Sequence, residues 1–209
     1  MNLEQARGTL AYQATLLGVV TLLTSGALAL ASKLTAPAIA AAEARDLRES
    51  LIQVLPIEHD NDLLSDVWSP PDTSTTQTVY RARRNGRVAA VVFRTRGTGY
   101  AGPIVVIMAV SRDGVLLGTR VLAHTETPGL GDKIEAAKSP WIRAFEGKSL
   151  GDPPRERWAV KKDGGDFDQF AGATITPRAV VRAITDGLDF FTAQRAALLD
   201  ESAVAGGRP

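Results

Sequence analysis

From Gly8 to Ser32 the chain carries no charged residue: GTLAYQATLLGVVTLLTSGALALAS. A helix rises about 1.5 Å per residue, so this run crosses a hydrocarbon layer of about 30 Å with a little to spare. In water the same run would have to be buried all round, because it has no polar stripe along one side. A cleavable signal peptide is a further reading, since Arg7 gives a positive start and Ala27, Leu28 and Ala29 offer an A-x-A site. The run outlasts the short apolar region of a signal, which favours a retained anchor. Ala14 and Gly18 form a small-xxx-small pair that lets another membrane helix come close. Arg7 and the terminal amine on one side are matched by Lys33, Arg45 and Arg48 on the other, so charge assigns no orientation.

The rest of a 209-residue chain, 44% hydrophobic overall, suffices for one sizeable core. Lys and Arg number 24 against 23 Asp and Glu, a balance that supplies no basic stripe for a phosphate backbone. Nucleic acid is therefore not an expected partner. With no Cys and only His59 and His124, thiolate metal sites, iron–sulfur ligation, c-type haem attachment and His-rich metal sites are excluded. Any redox chemistry must come from an organic cofactor.

Residues 35–55, TAPAIAAAEARDLRESLIQVL, are rich in helix formers, with Leu47, Leu51 and Val54 or Leu55 on one face. They predict an amphipathic helix connecting anchor to domain, ended by Pro56. The stretch from Asp60 to Thr78 is polar, with SPPDTSTTQT at its end, and reads as a surface loop. VYRARR and RVAAVVFRT flank Asn85-Gly86, a two-residue hairpin signal, and PIVVIMAVS and VLLGTRVLA flank Arg112-Asp113-Gly114. Four such strands predict an antiparallel sheet. Short helical pieces broken at Ser139-Pro140 follow, with Trp141, Ile142 and Phe145 buried. RWAVKKDGGDFDQF then reads as a strand, a Gly-Gly turn and a return. From Thr176 to Leu199, Val180, Ile184, Leu188 and Phe191 mark one helical face, with Thr176 as N-cap and Pro177 at N1. The expected class is α+β, an antiparallel sheet with flanking helices behind one amino-terminal transmembrane helix. Its expected divisions are tail and transmembrane helix at 1–33, connecting helix at 34–56, folded domain at 57–200 and disordered tail at 201–209.

Three stretches could carry chemistry. In DQFAGATIT (168–176), Ala171, Gly172 and Ala173 precede a helix start, so a phosphate could approach unpaired backbone N–H groups there. Thr174 and Thr176 add hydroxyls, although the same turn also suits plain helix capping. In HTETPGLGDKI (124–134), one Pro and two Gly force a turn with exposed amides. Glu126 and Thr127 offer it an acceptor and a hydroxyl for a heterocycle or ribityl chain, and a connecting loop with a solvated Glu has the same composition. In RGTGYAGPI (96–104), Gly97, Gly99 and Gly102 surround Tyr100, which suits a ligand ring or a turn with a surface Tyr. The dinucleotide fingerprint, the P-loop, the nucleophile elbow and HExxH are all absent from the sequence, and no catalytic residue is expected.

In this order, behind a single anchor, the three stretches resemble the FMN-binding domain family shared by RnfG of the Rnf electron transport complex and by NqrC of the sodium-translocating NADH:quinone reductase. The resemblance covers essentially the whole chain. The family's attachment motif reads Asp, two variable residues, Ser or Thr, Gly, Ala, then Thr or Ser. Asp168 to Thr174 follow it, except that Ala171 stands where Ser or Thr is usual. The family's HxETPGLG and GYxGxI stretches match His124 to Gly131 and Gly99 to Ile104 in full. VLPIEHDNDL at 54–63 and the modest length look more like RnfG.

The resemblance implies FMN joined by a phosphoester to Thr174, with Gly172, Ala173 and Thr176 beside the attachment and Glu126, Thr127, Leu130, Gly131 and Tyr100 as further contacts. It implies a flavin transferase that installs FMN from FAD, and the other Rnf-complex subunits as partners. It places the chain in the bacterial cytoplasmic membrane, with the carboxy-terminal domain on the periplasmic side. The chain would be an electron relay in an ion-translocating ferredoxin/NAD oxidoreductase, without catalytic activity of its own. Within the class the alternative is NqrC. Outside it the alternative is a non-redox anchored scaffold or ligand-sensing module.

Overall fold

A computed structural model of the chain describes residues 10–70 and 78–201. Residues 71–77 of the surface loop expected at 60–78 lie outside the described residues, as do Arg7 and positions 202–209 of the expected tail. The chain divides into two compact units, Met1–Leu47 and Arg48–Pro209.

Helix α1 runs unbroken from Leu10 to Val54, so the anchor and the connecting helix expected from sequence are one element. Pro37 stands inside it and removes one i→i−4 hydrogen bond. Ala36, Ala38 and Ala40 to Ala42, the best of helix formers, sustain the helix on either side. Thr15, Thr24 and Thr35 donate their hydroxyls to the carbonyls of Ala11, Val20 and Ala31, one turn back. These three hydroxyls are thereby satisfied within the helix itself. α1 is long and apolar enough to cross a membrane.

In the second unit, β1 (Val67–Trp68), β2 (Val79–Arg84), β3 (Arg87–Thr98), β4 (Pro103–Ser111) and β5 (Leu116–Ala123) form an antiparallel sheet in that order. Asn85 and Gly86, both left-handed at φ 53° and 78°, turn β2 into β3 with Arg84 opposite Arg87. The Arg112–Gly114 turn joins β4 to β5, and Gly114 supplies the positive φ of 86°. β3 continues to Thr98, further than its sequence pattern predicts. The return to β4 closes over residues 99–102, where the Gly99 N–H donates to the Gly102 carbonyl at 2.8 Å. β1 is a fifth strand inside the stretch expected as a surface loop at 60–78, where Leu63 and Asp66 are buried; two residues are too few to show alternation.

Helix α2 (Ile175–Leu198) buries Val180, Ile184, Leu188 and Phe191 against the sheet. Glycines set how closely it lies. A Cβ on Gly97 would stand 2.5 Å from the Ala179 carbonyl oxygen, and one on Gly187 would stand 2.4 Å from the Met108 sulfur. The helix backbone therefore rests almost directly on β3 and β4. At its other end, the last turn of α1 packs on β5, where Gly118 meets the Val54 carbonyl.

The expected strand pair at 157–170 does not form. Single 3₁₀ turns at Arg155–Arg157 and Lys161–Asp163 stand there, and Val160 and Phe167 share one parallel bridge. Gly165 comes so near the Ala159 carbonyl that the chain doubles back too tightly for a ladder. Packing holds the segment instead. Phe145 stacks on Phe167 at 4.4 Å, and Trp141 donates from Nε1 to the Asp168 carbonyl at 2.8 Å. Trp141, Ile142 and Phe145 are buried on the 3₁₀ turn Pro140–Phe145, started by Ser139 as cap.

Candidate functional site

Because Gly97 fixes α2 near the end of β3, the amino end of that helix meets the 99–102 turn. Two further loops reach the same place: residues 124–131 after β5, and the 170–174 turn that leads into α2. Together they enclose a pocket of about 380 Å³ lined by Tyr100, Glu126, Thr127, Leu130, Gly131, Gly172, Ala173, Thr174, Ile175 and Thr176. All nine residues singled out in the sequence stand in this wall. Ile175 is the addition, a half-exposed apolar side chain between two Thr on the first turn of a helix. An apolar residue directly after a small-residue turn was the available signal.

Glu126 joins the three loops. It is only 4% exposed. Its Oε1 accepts from the Ala101 N–H at 2.9 Å, and its Oε2 accepts from the Thr176 hydroxyl. Gly99 and Gly131 make room for it, since a Cβ on Gly99 would stand 2.4 Å from Oε1 and one on Gly131 would stand 2.9 Å from the Glu126 Cβ. Burial pushes the Glu126 carboxyl up. Hydrogen bonds from Thr176, Ala101 and Tyr100, with a smaller contribution from His124, outweigh that and leave it below its ordinary value of 4.5. The group is ionised at neutral pH.

The loop holding Glu126 is braced from behind. His124 accepts from the Glu126 N–H at Nδ1 (3.1 Å), so its proton sits on Nε2 and is shared with Glu135 at 2.9 Å. Lys138 bridges Glu135 at 2.7 Å and Asp132 at 2.9 Å. The Gly129 N–H and Lys138 hold Asp132 below the usual carboxylate range, and Lys138 and His124 do the same for Glu135. Within the loop, the Leu130 and Gly131 N–H groups both return to the Thr127 carbonyl.

The two Thr of the attachment turn differ. Thr176 is not the N-cap its sequence position predicts, because α2 begins one residue earlier, at Ile175. Glu126 draws the Thr176 hydroxyl inward, and the residue is 1% exposed. Thr174 takes the N-cap position in an αR conformation (φ −75°, ψ −28°), and its side chain caps nothing. An N-cap hydroxyl accepts from the first turn only from an extended backbone. The Thr174 hydroxyl is thus left on the pocket wall without a hydrogen-bond partner among the described residues.

Residues 99–189 match the family model of the FMN-binding domain, a span that takes in all three loops. Over 186 residues the chain is 54% identical to the G subunit of the ion-translocating oxidoreductase complex of Cereibacter sphaeroides, covering 88% of this chain and 85% of the relative. The chain belongs to this RnfG family. The Pseudomonas aeruginosa member is 45% identical over 207 residues, 96% of this chain and 97% of its own. Among solved structures, the Shewanella oneidensis NqrC crystal structure is similar at 26% identity and a TM-score of 0.47, covering 66% of this chain and 74% of that one.

Proposed function

We propose that this RnfG family member is a membrane-anchored electron-transfer subunit of an Rnf-type ion-translocating complex, carrying FMN esterified through its phosphate to Thr174. The part of α1 up to residue 33 is its membrane span, residues 34–56 connect it to the domain, residues 57–200 are its FMN-binding domain, and that domain faces the periplasm. The complex passes electrons between ferredoxin and NAD and couples them to ion movement, and this chain is one relay in it. The RnfG relatives favour this over the NqrC role in the quinone reductase.

One observation carries the attachment site. Of the two hydroxyls at the start of α2, that of Thr176 is buried and given to Glu126, whereas that of Thr174 lies half-buried on the pocket wall and unengaged. The pocket suits the group. Its volume lies in the range of small-ligand sites, about 300–1,000 Å³. Gly172, left-handed at φ 79°, keeps the turn beside Thr174 narrow, with the Leu130 methyl next to it. Tyr100, Leu130 and Ile175 are the exposed apolar side chains of the rim and can pack against a ring system. First-turn N–H groups of α2 and the positive end of its dipole offset the single charge of a phosphodiester.

Bound there, FMN supplies reversible electron transfer; the protein's part is to hold and orient it. A tether removes the need for deep burial, since it keeps the flavin at high local concentration whatever its own affinity. A ring near the surface can then exchange electrons with neighbouring subunits. In maturation a separate flavin transferase presents FAD. The Thr174 oxygen bonds to the flavin-side phosphorus, the pyrophosphate bond breaks, AMP leaves, and the hydroxyl proton is taken up by the transferase. The test is co-expression with an active transferase. The denatured wild-type chain should stay yellow, Thr174→Ala should be colourless, and Thr174→Ser should still be labelled. A colourless wild-type chain would favour the anchored scaffold.

A further inference from the structure

Phosphate sites usually present Arg or Lys. Among the ten lining residues of this pocket none is basic, and the one charged side chain is a carboxylate, Glu126. Its hydrogen-bond donors are two backbone amides and a hydroxyl, which are dipoles and cancel no charge. We infer that Glu126 is a specificity-determining residue that keeps phosphate monoesters, free FMN included, out of the pocket while admitting the singly charged diester. The inference rests on the proposed flavin site.

The charges can be summed. The amino end of α2 contributes about +0.5 and Glu126 contributes −1, so the pocket is already about −0.5 before any phosphate enters. A diester adds −1. A monoester adds −1.5 to −2 at pH 7, because its second pKa is about 6. The helix end supplies only about half a charge and already has Glu126 beside it, so the extra charge of a monoester meets no counterpart among the ten lining residues. Partial burial weakens screening by salt, so the repulsion persists at physiological ionic strength. Cellular FMN would therefore not occupy the apoprotein ahead of covalent loading, and the flavin phosphate stays once it is the singly charged diester of Thr174.

The test uses the full-length Thr174→Ala chain in detergent, which cannot be loaded, titrated with riboflavin and with FMN by flavin fluorescence. Riboflavin should bind on the order of tenfold more tightly than FMN, the effect of one uncompensated charge across a partly solvated pocket. Adding Glu126→Gln should bring the two within about twofold, whatever the change in riboflavin affinity itself, because the ratio of FMN to riboflavin affinity on the same chain reads the charge and not the packing. A measurement on the Thr174→Ala chain alone gives an independent sign: higher salt should strengthen FMN binding and leave riboflavin unchanged. FMN binding as tightly as riboflavin, FMN binding that weakens with salt, or no riboflavin binding at millimolar concentration would each overturn the inference. Covalent labelling of the Thr174→Ala chain would instead overturn the attachment site, which is a separate failure.

Discussion

Two buried carboxylates stand at opposite ends of the same argument. Asp66, just before β1, is enclosed by cations: Arg81 meets its Oδ1 at 2.6 Å and Arg83 meets its Oδ2, with the three side chains 8%, 2% and 11% exposed. Arg81 also donates its N–H to the Asp66 carbonyl at 3.0 Å and reaches the Asp200 carbonyl, past the end of α2, at 3.5 Å. Glu126 is equally buried, has no Lys or Arg partner and faces a pocket. A carboxylate matched by guanidinium groups is a fastening, with its charge spent locally. One held only by dipoles keeps its charge, and whatever enters beside it must contend with that charge.

Breaking the first should cost most. Asp66→Ala leaves two buried guanidinium groups uncompensated and should lower unfolding free energy by about 3–5 kcal/mol in a denaturant titration. A loss under 1 kcal/mol would show that the cluster is relaxed in solution. At the other end, Gly99→Ala drives a methyl into Glu126 Oε1 and the Ile104 side chain. Overpacking of that kind should cost about 1–3 kcal/mol and reduce flavin loading along with it, read by melting and by absorbance of the same preparation.

Acid probes the second carboxylate more gently. The folded pKa of Glu126 lies below 4.5, so its ionised form stabilises the fold above that value, and the contribution disappears as pH falls below 4.5 through the folded value. The melting temperature of the wild-type chain should therefore drop more steeply below pH 4.5 than that of Glu126→Gln, with parallel curves between pH 5 and 7. Smallest of all, Trp141→Phe removes the hydrogen bond to the Asp168 carbonyl and part of a buried ring, and should cost about 1–2 kcal/mol while leaving the labelled residue unchanged.

Much of this was legible in the sequence where local rules decide. Asn85-Gly86 specified its hairpin, the 3.6-residue spacing of Val180, Ile184, Leu188 and Phe191 specified the buried face of α2, and the three stretches singled out for chemistry are the ones that line the pocket. What escaped depends on partners far apart in the chain. Thr176 reads locally as a cap, and only Glu126, fifty residues earlier, makes it a buried donor. Asp66 and its two Arg are separated by 15 and 17 residues, and the alternation of Arg81 and Arg83 on one strand was the sole hint that both face one group. Lys161 to Phe170 resembled paired strands because the aromatic packing that replaces the ladder leaves the same apolar residues in place.

Peptide mapping of the chain isolated from its native membrane, with the modified side chain located by fragmentation, tests the central claim most directly. The account predicts a peptide heavier by FMN less one water, with the added mass on Thr174 and Thr176 bare. An unmodified Thr174, or the flavin phosphate on Thr176, would contradict it.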